Sequence, residues 1–163
     1  MIMNQSNYVD LLKHNDSKMF ELPDNFDIDT LELKVGNVKS KLEALMFDCH
    51  QSMNENASFI YRLLLNSHKL TSETGVCLNN NTYAIIFSNH GKFVMIYGEN
   101  RLPDQLKSKI IEILQSEDFV YIPEYITDLE YDGVLNDKTI FDWFDRYFNW
   151  YNADRIHKKN HYL

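Results

Sequence analysis

Two apolar patterns of different period divide the first half of the chain. Residues 31–35 alternate between apolar and polar side chains, the period of a half-buried strand, and Gly36 follows them as a stop. Across residues 38–64 the apolar positions recur at steps of three and four, which predicts a long helix with one apolar stripe. The weak helix formers at residues 54–56 would kink this helix or split it in two. A short helix is predicted before both patterns, at residues 8–12.

The middle of the chain changes to a period of two, which is typical of strands. Residues 76–78, 82–87 and 93–97 have the apolar and alternating character of strands. Their connections, residues 79–81 and 88–92, contain asparagine and glycine, which tolerate the positive φ angles of tight hairpins. The sequence therefore predicts an antiparallel, three-stranded meander.

The remaining segments predict two helices and one more strand. Pro103 opens a helix, residues 119–122 have the pattern of a strand, and residues 138–151 predict a last helix. No repeat or low-complexity linker interrupts the sequence, so we expect one domain over residues 1–163, with a loose tail at residues 152–163. The predicted fold class is α+β, with helices packed on a mainly antiparallel sheet that contains the meander.

Negative charge is concentrated in one part of the chain. The formal net charge is −8 and the pI is about 5.1. Residues 112–154 contain eleven acidic residues against Lys138 and Arg146, a net charge of −9, so the rest of the chain sums to about +1. Because such a surface repels phosphate groups, we expect no nucleic-acid partner and favour a basic protein partner attracted by electrostatic steering. Solubility alone is the other explanation of the acidity.

The cysteine count and the short apolar runs predict a cytoplasmic protein. Cys49 and Cys77 are too few for a disulfide framework and suit a reducing compartment. The first residues lack the charged start and the apolar core of a signal peptide. The longest aliphatic and aromatic run, residues 83–87, is far shorter than the ~20 residues that span a bilayer, so we expect no membrane partner.

Common catalytic motifs are missing from the sequence: it has no glycine-rich phosphate loop, HExxH, CxxC or GxSxG. Cys49 and His50 are neighbours on the predicted helix, where adjacent side chains point about 100° apart and cannot act as nucleophile and base. His157 and His161 have the spacing of helical metal ligands, but no Glu or Cys beside them completes a coordination shell. His90 is predicted to be a solvated residue of a hairpin turn. We therefore expect no catalytic residue, no metal and no cofactor.

The last predicted helix holds more aromatic residues than packing on one sheet requires. Five residues share the face that would dock on the sheet: Ile140, Phe144, Tyr147, Phe148 and Tyr151. Phe141, Trp143 and Trp150 point off that face, and partly exposed aromatic side chains are frequent interface anchors. The alternative is that the helix is enclosed in the core, with its tryptophans at the margin.

Acidic residues beside these aromatic residues complete a predicted partner-binding surface. Its residues are Asp128, Glu130, Tyr131, Asp132, Phe141, Asp142, Trp143, Asp145 and Trp150. The same carboxylates could instead supply an acid/base pair or an oxygen-rich metal site. Their spacing matches no calcium-binding loop, which favours partner binding.

Three segments stand out in the acidic C-terminal third: Tyr121-Ile122-Pro123-Glu124, Tyr131-Asp132-Gly133 and Trp143-Phe144-Asp145-Arg146-Tyr147-Phe148-Asn149-Trp150. In a small acidic α/β protein, segments of this type resemble those of bacterial immunity proteins that neutralise contact-dependent-inhibition or other polymorphic toxins. The resemblance implies tight, stoichiometric binding of a cognate toxin domain, commonly a basic nuclease, whose active site is covered. A small enzyme with a scattered carboxylate or Cys/His site and a non-inhibitory adaptor subunit are the alternatives.

Overall fold

The computed structural model describes residues 3–54, 57–66, 82–135 and 137–149. The helices within these ranges are α1 (Gln5–His14), α2 (Ile28–Ala44), α3 (Asp104–Ser116), α4 (Glu124–Thr127) and α5 (Trp143–Tyr147), with a 3-10 turn at Glu99–Arg101. The strands within them are β1 (Asp48–Met53), β2 (Phe59–Asn66), β3 (Thr82–Ser88), β4 (Phe93–Tyr97) and β5 (Val120–Tyr121).

The described strands form a mixed sheet in the order β1-β2-β3-β4-β5. Neighbours are antiparallel from β1 to β4, whereas β5 pairs with β4 in parallel through a crossover that contains α3. The predicted α+β class and the antiparallel meander are therefore confirmed, and the strands predicted at residues 82–87 and 93–97 correspond to β3 and β4. The strand predicted at residues 76–78 and the tail predicted at residues 152–163 lie outside the described residues.

The long helix predicted over residues 38–64 is wrong beyond Ala44, because the chain there turns back as the β1–β2 hairpin. Every second side chain of β2 is buried in the core, namely Phe59, Tyr61, Leu63 and Leu65. Aromatic and aliphatic side chains at this period pack well on a pleated surface. The same stretch also has apolar residues at steps of three and four, and packing within the sheet decides between the two periods.

The strand predicted at residues 31–35 is also wrong, because these residues lie inside α2. The Asp27 side chain caps this helix: it accepts hydrogen bonds from the Thr30 backbone N–H at 3.2 Å and from the Thr30 hydroxyl at 2.7 Å. The buried side of the helix is formed by Val35, Val38 and Leu42. A helical stripe of this length outweighs the short alternation at residues 31–35.

Other predicted elements are present with changed lengths. Residues 8–12 lie in α1, the helix after Pro103 is α3, and residues 119–122 include β5. The last helix, predicted over residues 138–151, is the five-residue α5 instead. It begins at Trp143 because the preceding aspartate caps it.

Helices cover both faces of the sheet. On one face α2 and α3 pack on the strands, and the buried residues there include Val35, Leu42, Leu63, Ile85, Val94 and Leu114. On the other face α1, α4 and α5 do so, with Leu12, Ile86, Phe93, Ile126, Trp143 and Tyr147 among the buried residues. Because β3 and β4 lie between the two layers, they are apolar almost throughout.

Candidate functional site

An acidic groove of about 490 Å³ opens on the face of the sheet that α1, α4 and α5 cover. The acidic groove is the surface lined by Met95, Tyr97, Gly98, Arg101, Glu124, Thr127, Asp128, Asp142, Phe144, Asp145 and Asn149. Four of these side chains are carboxylates and one is a guanidinium, so the groove is negatively charged.

The end of β4 and the start of α4 form one wall of the groove. Gly98 has a φ angle of +87°, a left-handed conformation that glycine tolerates, and it turns the chain away directly after Tyr97. The Gly98 N–H donates to Oε1 of Glu124 at 2.5 Å, and the Glu124 N–H donates to Oε1 of Glu99 at 2.8 Å. These two hydrogen bonds fasten the strand end to the first turn of α4.

Two carboxylates lie close together in this wall. Glu99 is buried and accepts a hydrogen bond from the Tyr121 hydroxyl. Burial, and then this hydrogen bond, raises the pKa of the Tyr121 phenol. Burial likewise raises the pKa of Glu124, and the negative charges of Glu99 and Asp128 add to the rise. A cationic group that entered the groove would reduce this repulsion.

The N-terminus of α5 forms the opposite wall. Asp142 caps the helix, because its side chain accepts a hydrogen bond from the Asp145 N–H at 2.8 Å. The Asp145 carboxylate accepts from the Phe141 N–H and from the Asn149 side chain, each at 3.0 Å. Asp145 is only 1% exposed. It therefore fixes the backbone on both sides of α5 and presents little charge to solvent.

One exposed tyrosine, Tyr97, lines the groove, and a second lies nearby in the sequence of α4. Tyr97 is 55% exposed, and its ring centroid lies 6.2 Å from that of Phe144. Tyr125, next to Glu124 on α4, is 54% exposed. Neither tyrosine belongs to the predicted partner-binding surface. A signal for Tyr97 exists in the sequence, because it is the last residue of an apolar strand and stands directly before a glycine.

Three of the predicted partner-binding residues, Asp128, Asp142 and Asp145, meet in the acidic groove. Glu130 is exposed beside it and pairs with Asp142 through an isolated antiparallel bridge. Four of the five acidic residues of the predicted surface therefore lie in or beside the groove.

Tyr131 and Asp132 contact the N-terminal part of the chain instead. The Tyr131 hydroxyl donates to Oδ2 of Asp16 at 2.5 Å, and Asp132 forms a salt bridge with Lys13 at 2.8 Å. Tyr131 thus ties the loop after α4 to the segment that follows α1, and Asp132 ties the same loop to the last turn of α1.

The exposure predicted for Trp143 is wrong. Its side chain is 1% exposed and packs against Tyr131, edge-on at 4.8 Å, and Tyr147, stacked at 5.7 Å. The prediction placed Trp143 on the flank of a longer helix that begins at residue 138. The helix instead begins at Trp143, so that flank does not exist. The alternative position in the core is correct for Trp143. Phe141 is half-buried, and Trp150 lies outside the described residues.

Cys49 and His50 are not arranged as a catalytic pair. They lie on β1, where successive side chains point to opposite faces of the sheet. Burial, and then the charge of Glu43, raises the pKa of Cys49 to about 12, so the reactive thiolate is scarce at neutral pH. Among the described residues, no group of three or more His, Cys, Asp or Glu side chains could hold a metal ion. His157 and His161 lie outside those residues.

His90 is not the solvated turn residue that its sequence context predicts. Its side chain is fully buried, and its ring centroid lies 5.6 Å from that of Tyr147. Nε2 of His90 lies 3.1 Å from the carbonyl oxygen of Phe20, a residue 70 positions earlier in the chain. Local sequence carries no signal of a partner so distant.

Comparison with known proteins does not place the chain in a family: no protein-family model, curated protein or solved structure matches it. None of the helices in the described ranges is both long enough and apolar enough to span a bilayer. The acidic groove and the exposed Tyr97 that lines it are the features from which a function can be derived.

Proposed function

We propose that this chain is an immunity-type protein that acts in the cytoplasm, where it binds a cognate, basic, nuclease-like toxin domain and covers the toxin's active site. The observation that carries this proposal is the acidic groove, which the exposed Tyr97 lines. A nuclease binds phosphate groups and is therefore basic around its active site, so a surface lined by carboxylates complements it. For the same reason the partner is a protein and not a nucleic acid.

Salt bridges compensate part of the negative charge at the end of α3. Glu117 and Asp118, at the end of α3, pair with lysines of α2 and of the β3–β4 turn, at 2.8 and 2.6 Å. Lysines from outside residues 112–154, the acidic part of the chain, thus compensate the charge of these two carboxylates in part. Asp128 and Glu130 are exposed at or beside the groove. We expect them to steer a basic partner toward this face.

The tyrosines supply the apolar part of the proposed interface. Tyr97 and Tyr125 each expose about half of their surface. Tyrosine loses little side-chain entropy on binding and combines apolar area with a hydroxyl group, which makes it frequent at interface hot spots. We expect Tyr97, which packs beside Phe144, to control dissociation, and the carboxylates to control association.

Binding kinetics with the toxin-like domain encoded beside this chain's gene test the proposal. Asp128→Lys should slow association about tenfold at low salt and less at high salt, because salt screens the attraction. Tyr97→Ala should raise the dissociation rate by about 30-fold, the equivalent of about 2 kcal/mol. Asp128 is a cleaner probe than Asp142, which caps α5. Glu112→Lys makes the same charge change on the opposite side of the sheet and serves as the control.

The possible results separate the candidate functions. Failure to bind any adjacent toxin-like domain would contradict the immunity function. Binding that leaves the toxin active would favour the adaptor alternative. Equal effects of Asp128→Lys and Glu112→Lys would show that general charge, and not the acidic groove, determines association.

A further inference from the structure

Residues 16–21, which we call the strap, lie between α1 and α2 without helix or strand structure. Side chains from two distant parts of the chain bind its carbonyl oxygens. Arg146 of α5 donates to three of them, at 3.1, 3.0 and 3.2 Å, those of Ser17, Met19 and Phe20. Asn89, in the turn after β3, donates to the carbonyl oxygen of Glu21 at 2.8 Å. The six strap residues, all described, belong to neither apolar layer of the core, so polar contacts hold them in place.

His90 completes this attachment from a fully buried position. The Phe20 carbonyl oxygen, 3.1 Å from Nε2, can only accept a hydrogen bond, so Nε2 carries the proton of the neutral ring. Nδ1 is then the unprotonated nitrogen, and it is buried without a hydrogen-bond partner among the described residues. The site therefore suits a neutral histidine, because a proton on Nδ1 would find no acceptor.

Charged groups around His90 oppose a second positive charge. Arg146 donates to the same Phe20 oxygen, so its guanidinium lies beside the imidazole. The Asp16 carboxylate already pairs with Arg146 at 2.6 Å, and Tyr147 faces the imidazole with its aromatic ring. Burial, and then the charge of Arg146, lowers the pKa of His90 to about 4. The hydrogen bond to Phe20, and then the charge of Asp16, oppose this shift only in part.

We propose that the strap is an acid-sensitive latch, which protonation of His90 opens while the sheet remains folded. A histidine whose pKa is lowered in the closed state binds more protons in the open state. The contribution of His90 to the stability of the closed latch is fully present at a pH above 6.5, the ordinary pKa of histidine. This contribution is lost as the pH falls toward 4, the pKa of His90 in the closed state. The opening equilibrium constant should therefore be about 30-fold larger at pH 5 than at pH 7.5.

Opening of the latch would also affect the acidic groove. Arg146 lies on the five-residue α5, which also carries Phe144 and Asp145 of the groove lining. Releasing Arg146 from the strap removes an anchor of that wall. If the chain has the proposed function, a fall in pH would then weaken partner binding. The latch is measured on the chain alone, so its failure and that of the immunity function are distinguishable.

Hydrogen exchange of the full chain, measured by mass spectrometry and corrected for the intrinsic effect of pH, tests the latch. The reporters are the Ser17 and Met19 amides, which donate to Oδ1 of Asp16 at 3.0 Å and to Oγ of Ser17 at 3.2 Å. The opening equilibrium constant measured at these amides should increase about 30-fold between pH 7.5 and pH 5, while the amides of β3 and β4 stay protected from exchange. In His90→Gln, which keeps an N–H donor but does not titrate, the increase should fall below about threefold. His50→Gln, an exposed histidine on β1, should respond like the unmodified chain.

Two results would overturn the latch. One is an undiminished increase in His90→Gln, and the other is simultaneous loss of protection in the strap and in the sheet. An NMR titration of His90 in the unmodified chain does not depend on the folding of a variant. We expect a pKa near 4, and a pKa above about 6 would overturn the proposal.

Discussion

Replacement of Arg146 by methionine should reveal how strongly the buried ion pair stabilises the fold. Nε of Arg146 lies 2.6 Å from Oδ1 of Asp16, and neither side chain is exposed to solvent. Methionine keeps much of the apolar stem but removes the charge and four hydrogen bonds. Asp16 would retain donors from the Val134 N–H and the Tyr131 hydroxyl, but its charge would lose its buried counter-charge.

We expect Arg146→Met to lower the free energy of unfolding by about 3–5 kcal/mol, the usual cost of removing one member of a buried ion pair. Four hydrogen bonds to a charged donor, at about 1.5–3 kcal/mol each, set a higher upper bound. Burial of the methionine side chain and access of water to Asp16 reduce the loss below that bound. A change of this size is a large part of the total of about 5–15 kcal/mol that is typical of folded domains.

Urea unfolding followed by circular dichroism measures this loss near pH 7. Asp16→Asn and the double variant complete a thermodynamic cycle, in which the double loss should be smaller than the sum of the single losses by at least about 1 kcal/mol. Lys13→Met, which breaks an exposed salt bridge, is the control and should cost less than about 1 kcal/mol. A loss below about 1 kcal/mol for Arg146→Met, or strict additivity, would refute the reasoning.

Three further substitutions probe other parts of the structure. In urea unfolding, Trp143→Ala should cost about 3–5 kcal/mol because the ring is buried. Trp143→Phe should cost less, because Nε1 has no hydrogen-bond partner among the described residues. Gly98→Ala should cost about 1–2 kcal/mol, since a φ angle of +87° strains a residue with a Cβ. In a Cys77→Ser background, Cys49 should react with iodoacetamide at least about tenfold more slowly in the folded than in the unfolded chain, as followed by intact mass.

Matched controls exist for these substitutions. Leu33→Ala alters an exposed side chain and should change stability by less than about 0.5 kcal/mol. Gly36→Ala lies within α2, where an added Cβ would meet nothing within 4 Å, and should be neutral or stabilising. A Trp143→Ala loss as small as that of Leu33→Ala would contradict the core position. Equal tolerance of alanine at both glycines, or rapid alkylation of folded Cys49, would contradict the other two expectations.

Local sequence patterns correctly predicted the elements whose residues fit only one type of secondary structure. The short apolar runs and turn residues of β3 and β4, and the proline before α3, were sufficient for those elements. The secondary structure was predicted wrongly for residues 31–35 and 59–65, because each segment fits both a helical and a strand period. Contact with the rest of the core decides between the periods, and a local pattern contains no information about that contact.

The candidate site was predicted only in part for a related reason. Asp128 and Asp142, two of the predicted partner-binding residues, lie in one groove. Tyr97 joins them from the end of a strand whose other residues are buried, a position that the density of acidic residues does not indicate. The positions of His90 and Arg146 depend on partners 70 and up to 130 residues away. A lone histidine or arginine has no periodicity, so its burial cannot be recognised before the tertiary structure is known.

The sequence distance spanned by Arg146 also has a kinetic consequence. Its contacts reach back 126 to 130 residues, whereas β1 to β4 pair with their neighbours in chain order. Closing so long a loop costs more chain entropy than closing a hairpin, so we expect the strap to join α5 late in folding. Interactions absent from the folding transition state mainly slow unfolding. The buried ion pair should therefore govern the lifetime of the folded chain and have little influence on how fast that chain forms.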